Sequence, residues 1–327
     1  MSTAALMQCP GDPFVMSYWV RNCAQVWRDD VDTVKVFVNG QSDPDIIGVL
    51  RDMCRTIDAE FSWQEGRLVH GDATRILLES CKADEVFLVE DDAFVREPGA
   101  IARALRRVHS REVDVIATPR GGMSPEVEQA ARAKWHDHDL SSPNGADNGP
   151  GLWPCFFFAR TADLMKTSRQ FGSRTWHAGE TIPGLGYDVT HDVTTDTFTT
   201  TAFELRGAGA RIEPCPQYKE VWDKDLPAWC APWFHAGGLS NGDFLSEDWD
   251  GGGARADVGG TNEGRDWAHR IWWWRRCIST APKTLLRDTQ DAYAARIEAL
   301  TDFLGVREDV EEWNETLLPW INWDDRA

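Results

Sequence analysis

The sequence lacks the features that define several classes of protein. Its eight cysteines include no CxxC pair, which argues against a zinc ribbon. No apolar run reaches the length of a membrane-spanning helix, and the N-terminus has neither the cationic start nor the apolar core of a signal peptide. We therefore expect a soluble, cytoplasmic protein without a membrane partner, whose thiols stay reduced and buried.

Positive charge is scarce as well. The chain has 34 lysines and arginines against 53 aspartates and glutamates, which gives a formal net charge of −19. This balance argues against sequence-independent binding of nucleic acid by the surface as a whole, although a local basic groove is compatible with it. Tryptophan is abundant: 17 indoles can fill the core and form flat platforms for sugars or bases.

Segments of strand type and of helix type alternate through the first third of the chain. We predict strands at residues 14–19, 34–38, 60–63, 86–89 and 113–118. We predict helices between them at residues 23–27, 45–57, 73–82 and 101–109. This order predicts an α/β fold with a mostly parallel sheet flanked by helices, and ligands bind beyond the carboxyl ends of such strands.

The rest of the chain is predicted to be less regular. Loops rich in Gly, Asp, Asn and Pro are predicted at residues 137–151, 179–196 and 250–260, and strands at 153–160 and 210–214. Helices are predicted at residues 197–207, 265–279, 284–304 and 310–323. We expect two parts, an α/β domain in residues 1–245 and a helical C-terminal extension in residues 246–327.

Three consecutive carboxylates, Glu90, Asp91 and Asp92, follow the predicted strand at residues 86–89. Adjacent like charges at the end of a buried strand repel one another and resist desolvation. A divalent cation shared with a substrate diphosphate would offset that repulsion, because Mg²⁺-like ions use one or two carboxylates plus phosphate oxygens. The alternative is structural: the acids cap the next helix or line a solvated loop.

Residues 89–94, Val-Glu-Asp-Asp-Ala-Phe, followed by Glu97-Pro98-Gly99, resemble the DxD-type motif of nucleotide-sugar-dependent glycosyltransferases of the GT-A fold. Some members of that family carry the variant Glu-Asp-Asp. Residues 233–240, Trp-Phe-His-Ala-Gly-Gly-Leu-Ser, resemble the late His segment that often completes the metal site. The resemblance covers residues 12–242 in element order and implies a GT-A-like, Rossmann-type sheet.

The resemblance also implies roles for the motif residues. Asp92 would be the direct metal ligand and His235 a second one, and imidazole suits Mn²⁺ better than Mg²⁺. Glu90 or Asp91 would contact the nucleotide ribose or a metal-bound water. The co-substrate would be a nucleotide-sugar donor, with a UDP-sugar as the first expectation. For His235 the alternative is a buried histidine whose ring is satisfied by structural hydrogen bonds.

The donor nucleotide is expected along the ends of the first three predicted strands. The polar residues at those positions, with one on the helix before the acids, are Arg21, Asn22, Asn39, Gly40, Gln64 and Arg75. The planar guanidinium of Arg75 suits a diphosphate. Each of these residues has an alternative as a turn residue or a surface charge.

An inverting glycosyltransferase needs a general base that deprotonates the acceptor hydroxyl. Asp196 is our first choice and Asp192 the second, because both precede the predicted helix at residues 197–207. The alternative for Asp196 is helix capping, which is common for Asp at this position. A retaining mechanism would need no such base.

Residues 265–276 are basic and aromatic within an acidic chain. Trp272, Arg275 and Arg276 are the acceptor-binding residues we predict there, since cations interleaved with aromatic rings suit single-stranded or flipped-base nucleic acid. The alternative is a core-packing helix with arginines on its outer face. The overall layout resembles phage-encoded glycosyltransferases associated with TET-type dioxygenases, which attach sugars to hydroxymethylated pyrimidines in DNA.

Such a resemblance implies hydroxymethylated DNA as the acceptor and the host cytoplasm as the location. The net charge of −19 opposes a DNA acceptor unless positive charge is concentrated in one groove. A glycan, a protein or a small molecule stays open as the acceptor.

Two other functions were weighed. A sugar nucleotidyltransferase usually has a Gly-rich loop with a basic residue after strand one, and residues 18–22, Tyr-Trp-Val-Arg-Asn, lack it. A non-catalytic carbohydrate- or DNA-binding module has no use for the three acids together with His235.

Overall fold

In the computed structural model of the chain, the described residues are 1–11, 13–95, 97–120, 122–135, 149–215 and 233–235. The main strands are β1 (Thr3–Cys9), β2 (Thr33–Asn39), β3 (Ala59–Gln64), β4 (Glu85–Glu90), β5 (Ala93–Val95), β6 (Val115–Arg120) and β7 (Gly151–Arg160). Shorter strands follow: β8 (Arg174–Trp176), β9 (Thr181–Ile182), β10 (Tyr187–Asp188), β11 (Val193–Thr195), β12 (Ile212–Pro214) and β13 (Trp233–His235).

The helices are α1 (Pro13–Asn22), α2 (Pro44–Thr56), α3 (His70–Ser80), α4 (Ala100–His109), α5 (Pro125–Lys134), α6 (Thr161–Leu164) and α7 (Thr199–Gly207). A π-helical turn, Cys23–Trp27, extends α1. No helix within the described ranges is long and apolar enough to span a bilayer.

The central sheet has seven strands in the order β12-β6-β7-β4-β1-β2-β3. Only β7 runs antiparallel to its neighbours β4 and β6, so the predicted mostly parallel sheet is confirmed. The chain moves outward from β1 to β2 and β3, then returns to place β4 on the other side of β1. The order of the strands therefore reverses between β1 and β4.

Helices cover both faces of this sheet. Helices α1, α2 and α4 pack on one face, and α3, α6 and α7 on the other. The right-handed crossover rule accounts for the positions of α1, α2 and α3: the chain reverses direction along the sheet after β3, so α3 must lie on the opposite face from α1 and α2. Helix α4 lies on the first face again, although β6 continues in the direction set by β3 and β4. Side chains of β1 alternate accordingly, with Ala5 and Met7 in the first core and Ala4 and Leu6 in the second.

The first predicted strand is wrong. Residues 14–19 belong to helix α1, and the first strand is Thr3–Cys9. Apolar residues at Val15, Trp19 and Cys23 recur every four positions and are all buried, which is helical spacing. The run Thr3–Cys9 is a central parallel strand buried on both faces, and such strands are continuously apolar rather than alternating.

The remaining predicted elements within the described ranges are confirmed to within a few residues. These are β2, α2, β3, α3, β4, α4, β6, β7, α7 and β12, together with the short helix at residues 23–27. Within the predicted loop at 179–196 the structure has the short strands β9, β10 and β11. Most of the predicted loop at 137–151 and the whole extension at 246–327 lie outside the described residues.

Candidate active site

The three carboxylates lie at the reversal point of the sheet. Glu90 ends β4 and pairs in register with Gln8 of β1, and Asp91 and Asp92 form the turn into β5. The carboxyl ends of β1 and β4 both lie at this reversal point. Open α/β sheets bind ligands at such a point, which is called the topological switch point. The topology therefore places the acidic motif where a ligand is expected.

The two aspartates are buried, each with 2% of its surface exposed. Glu90 is held in place: the Trp153 indole N–H donates to its Oε1 at 3.0 Å, and His70 Nε2 lies 3.8 Å from the same oxygen. Burying several carboxylates together is costly unless positive charge compensates them. This arrangement favours a bound cation at the end of β4.

The negative field of the acids extends into the sheet. Burial raises the pKa of the Cys155 thiol well above its ordinary value, and the Glu90 and Asp92 carboxylates raise it further. A hydrogen bond to Thr118 Oγ1, at 3.3 Å, opposes the shift. Cys155 therefore stays a neutral thiol and is no nucleophile.

The residues present fit a metal of a particular kind. In the described ranges no group of three or more His, Cys, Asp or Glu side chains forms a metal-binding cluster, which argues against a metal cage made by these residues alone. A Mg²⁺- or Mn²⁺-like ion that shares its coordination with a diphosphate needs only one or two protein carboxylates. Buried Asp92 at the switch point meets that requirement.

The late His segment lies beside the acidic motif. Strand β13 pairs antiparallel with β5, and the backbone of His235 faces that of Ala93, the residue after Asp92. The Trp233 ring anchors β13 on Phe156 and Phe158 at centroid distances of 5.3 and 5.4 Å. The backbone therefore brings together the two segments that carry the resemblance, and the role of His235 as a ligand stays a prediction.

Asn22 was predicted to contact the nucleotide, and the structure gives it a different role. It ends helix α1 rather than following a strand, and its amide is buried. Nδ2 donates to the Val95 carbonyl at 2.7 Å, and Oδ1 accepts from the Val95 N–H at 2.9 Å. Oδ1 also accepts from the Trp27 indole at 3.0 Å. Asn22 thus holds β5 in place next to the acids.

The polar residues at the ends of β2 and β3 also bind the protein itself. Asn39 is buried, donates to the Leu68 carbonyl at 2.9 Å and accepts from the Leu68 N–H at 2.8 Å. Gln64 donates to the Gly66 carbonyl at 2.8 Å and accepts at its own carbonyl from the Gly40 N–H at 2.9 Å. These contacts fix the loop that leads into α3, so Asn39 has a structural role, and its contact with the nucleotide stays a prediction.

Arg21 and Arg75 lie on helices. Arg21 is in the last turn of α1 and is partly buried, so its predicted position after a strand is wrong. Arg75 Nη2 pairs with Asp72 Oδ1 at 2.9 Å on the exposed side of α3. It is five residues beyond His70, or about 7.5 Å along the helix axis. Arg75 therefore lines the surface beside the acids and does not pair with them.

Asp196 lies at the same edge of the sheet as the acids. Its N–H donates to the carbonyl of Gly122 at 2.7 Å, and Gly122 follows the carboxyl end of β6. Its Oδ1 accepts from Ser173 Oγ at 3.0 Å and from the Thr197 N–H at 2.7 Å. The N-cap of α7 is Phe198, so the alternative role of Asp196 as a helix cap is not seen.

A strained residue follows Asp196 and fixes the turn. Phe198 is fully buried at a φ of +62°, a backbone conformation that costs a non-glycine residue about 1–3 kcal/mol. Its N–H donates to the Phe171 carbonyl at 2.9 Å, and its ring packs on Phe171 and Phe157 with centroids 5.1 Å away in each case. Strain held by such packing is common at functional sites.

Asp192, the second choice for the base, is poorly placed. It forms an exposed ion pair with His177, whose Nδ1 lies 3.2 Å from its Oδ1. Asp192 and Asp196 lie just beyond opposite ends of β11, roughly 13 Å apart at 3.3 Å per residue. The two residues therefore cannot both contact one acceptor hydroxyl, and the choice of Asp196 as the base stays a prediction.

Sequence reasoning missed two side chains at this site, His70 and Trp153. Trp153 stands at the start of a predicted strand and His70 precedes a predicted helix, and nothing in their spacing shows that they meet Glu90. The predicted acceptor-binding residues Trp272, Arg275 and Arg276 lie outside the described residues.

The fold and site define an α/β protein with a buried acidic motif at the switch point of its sheet. No protein-family model matches the sequence, and no curated protein matches it. Glucosyl-3-phosphoglycerate synthase from Mycobacterium tuberculosis, solved with phosphoglyceric acid, is similar at 15% identity over 65% of this chain and 68% of that chain, with a TM-score of 0.39.

Two further solved structures are similar. The same synthase with Mn²⁺, uridine diphosphate and glucosyl-3-phosphoglycerate matches at 14% identity over 65% of this chain and 68% of that chain, with a TM-score of 0.38. A mannosyltransferase from Pyrobaculum calidifontis with GDP-Man and Mn²⁺ matches at 10% identity over 96% and 75%, with a TM-score of 0.44. At these scores and identities, the likenesses assign no substrate or activity to this chain.

Proposed function

We propose that this protein is a metal-dependent glycosyltransferase that moves a sugar from a nucleoside-diphosphate sugar to a hydroxyl acceptor. The observation that carries the proposal is the burial of Asp91 and Asp92 at the β1–β4 switch point, each with 2% exposure. A cation at this point would stabilise the buried acids and could bind the diphosphate of the donor.

The donor side of the site is formed by the acidic turn and β13. Asp92 is the protein carboxylate that would hold Mn²⁺ or Mg²⁺, with His235 as a second ligand and Glu90 or Asp91 toward the ribose. When bound, the metal stabilises the charge of the leaving diphosphate. Trp153 and His70 keep Glu90 at a fixed position.

The acceptor side of the site is formed by Asp196. Its carboxylate takes the proton of the acceptor hydroxyl while the acceptor oxygen forms a bond to the anomeric carbon. The bond from that carbon to the diphosphate breaks, and the nucleoside diphosphate leaves with the electron pair. Ser173 and the Thr197 N–H orient the carboxylate. This step inverts the anomeric configuration.

A sugar nucleotidyltransferase would require a Gly-rich, basic loop after the first strand of this sheet. The true first strand ends at Cys9, so the loop after strand one is Pro10-Gly11-Asp12. It has one glycine and one acid but no lysine or arginine, whereas a diphosphate-binding loop relies on several glycines and a basic residue. The corrected position of the first strand therefore gives no support to a sugar nucleotidyltransferase.

The test is metal-dependent hydrolysis of the donor. A panel of nucleotide sugars, UDP-sugars first, is incubated with the protein and Mn²⁺, with and without EDTA. We expect hydrolysis of one donor that EDTA stops and Asp92→Asn lowers at least about tenfold. The control, Asp52→Asn, removes an exposed carboxylate of α2. Absence of turnover across the panel, or equal loss in both variants, would refute the proposal.

DNA as the acceptor stays a prediction, because the basic aromatic stretch that favours it lies outside the described residues. Comparison of transfer to hydroxymethylated and unmodified DNA, with a competent donor, tests it. Sugar on neither DNA would exclude the DNA acceptor and leave the glycosyltransferase proposal standing.

A further inference from the structure

A groove of about 530 Å³ runs between helix α3 and the segment at residues 168–174. Its size is in the range of small-molecule sites. The residues that determine its chemistry are Asp72, Arg75, Glu79, Arg169, Ser173 and Arg174. The proposed donor site does not use this groove.

The two walls of the groove meet at a pair of glycines. A Cβ atom on Gly71 would lie 2.0 Å from the backbone nitrogen of Gly172, far inside van der Waals contact. Only glycine at position 71 lets α3 come this close to the opposite segment. The close approach sets the width of the groove at this point.

Each wall of the groove lies next to a residue of the proposed active site. At one wall, His70 precedes Gly71, and its Nε2 lies 3.8 Å from Glu90 Oε1 of the acidic motif. At the other wall, Ser173 Oγ donates to Asp196 Oδ1 at 3.0 Å. Ser173, a lining residue, therefore links the groove directly to the proposed base.

The charges along the groove come in pairs. Arg75 lies 2.9 Å from Asp72, and Arg169 lies 3.2 Å from Glu79 across the groove. Arg174 is likewise paired, with Glu180 at 2.6 Å. Because each cation has a carboxylate partner, the groove does not offer the excess positive charge that a phosphate backbone requires.

Paired guanidinium and carboxylate groups offer donors and acceptors side by side. A hydroxyl group both donates and accepts, so vicinal hydroxyls can bond to both members of such a pair. The side chains of the Arg75–Asp72 and Arg169–Glu79 pairs are 42–51% exposed. Exposed pairs contribute little to stability, so a ligand can share their groups at small cost.

We infer that this groove binds the acceptor and that the acceptor is an uncharged polyhydroxylated molecule, such as a sugar or oligosaccharide. The inference rests on the proposed function for its reaction: one hydroxyl of the bound polyol reaches Asp196 and receives the sugar. Arg75, first predicted to contact the donor diphosphate, thereby becomes an acceptor-binding residue.

The test pairs transfer kinetics with a binding measurement. With the donor identified by hydrolysis, transfer is measured to an array of monosaccharides and oligosaccharides and to a hydroxymethylated DNA duplex. The variants are Arg75→Ala and Arg169→Ala. The control, Arg55→Ala, breaks an exposed i,i+3 pair with Asp52 on α2 that matches the Arg75–Asp72 pair.

We expect a saccharide acceptor whose KM rises roughly tenfold in Arg75→Ala and in Arg169→Ala, more than the KM of the donor, with Arg55→Ala unchanged. Transfer to DNA alone, a rise confined to the donor KM, or effects no larger than those of the control would overturn the inference.

Binding of the labelled protein to the same saccharide array, without donor or metal, separates this inference from the proposed function. Saccharide binding that Arg75→Ala weakens, in a protein that hydrolyses no donor, would support the groove and refute the glycosyltransferase. Donor hydrolysis by a protein that neither binds saccharides nor transfers to them would support the donor side of the proposed function and refute the groove as the acceptor site.

Discussion

The side-chain amide of Asn22 bonds to both backbone groups of Val95. Its Nδ2 donates to the Val95 carbonyl at 2.7 Å, and its Oδ1 accepts from the Val95 N–H at 2.9 Å. Buried backbone groups must find partners, and here one side chain supplies both. Since Val95 ends the strand that follows Asp92, helix α1 sets the position of the acidic turn from 73 residues away.

Replacement of Asn22 by Ala should destabilise the fold and loosen the acidic turn. Two buried backbone groups of Val95 and the Trp27 indole lose their partner, for an expected cost of about 3 kcal/mol in the free energy of unfolding. Urea unfolding measures this cost. Equal stability of Asn22→Ala and the parent protein would contradict the role given to this amide.

Asp92 should be required for binding of the nucleotide with its metal. Calorimetric titration of UDP in the presence of Mn²⁺ should give a Kd that rises at least about tenfold in Asp92→Asn, because a direct ligand is lost. Without Mn²⁺ the parent and the variant should bind UDP equally weakly. A Kd that does not depend on Mn²⁺ in the parent protein would show that the acids hold no metal.

Strain at Phe198 predicts an unusual order of stability among its variants. Ala and Gly both remove the buried ring, but only Gly accepts a φ of +62° without strain. Phe198→Gly should therefore be more stable than Phe198→Ala by about 1 kcal/mol. Its neighbour Phe171 has no positive φ. At position 171 we therefore expect Phe171→Ala to be more stable than Phe171→Gly. Thermal unfolding measures both pairs of variants, and the same order of stability at the two positions would argue against strain at Phe198.

The lowered pKa of the Asp114 carboxyl predicts that the protein loses stability in acid. Desolvation raises the pKa of this carboxyl, but hydrogen bonds from Arg160 and Arg211 outweigh it and lower the pKa from 3.8 to about 2. The folded pKa lies below the unfolded one, so the stabilisation is present above pH 4 and disappears as the pH falls toward 2.

At neutral pH the shift of Asp114 corresponds to about 2 kcal/mol. Unfolding of the parent and of Asp114→Asn, followed from pH 6 to pH 2, measures it. The difference in stability between the two proteins should shrink across this interval. A difference that stays constant would mean that the Asp114 carboxyl has the same pKa in the folded and the unfolded protein.

The acidic motif could be predicted from sequence because it depends on one local pattern. An apolar strand followed by three acids places those acids at the carboxyl edge of a parallel sheet, whatever the rest of the chain does. The first strand was harder, because a central strand such as Thr3–Cys9 shows no alternation. Its short apolar run also resembles the start of a leader sequence more than an alternating strand.

Contacts made by amide side chains could not be predicted in the same way. Asn22 and Asn39 have the residue type and the sequence setting of ligand contacts. In the fold they meet the backbone of Val95 and Leu68, 73 and 29 residues along the chain. No local sequence pattern predicts which distant backbone group a side-chain amide will bond to. The order of Asp196 before Asp192 as the base stays a prediction, and it depends only on position relative to a helix start, which is local.

The antiparallel strand β7 also has a consequence for synthesis on the ribosome. It lies between β4 and β6, although it follows both in the chain, so β6 has no neighbour on that side until Arg160 has been made. A nascent chain that ends before this strand leaves β4 without one of its neighbours and β6 without either, because β12 follows later still. Such unpaired strand edges invite association with other chains. We therefore expect shortened chains that end between β6 and β7 to need chaperones or to aggregate, and chains that extend past β12 to be far less prone to either.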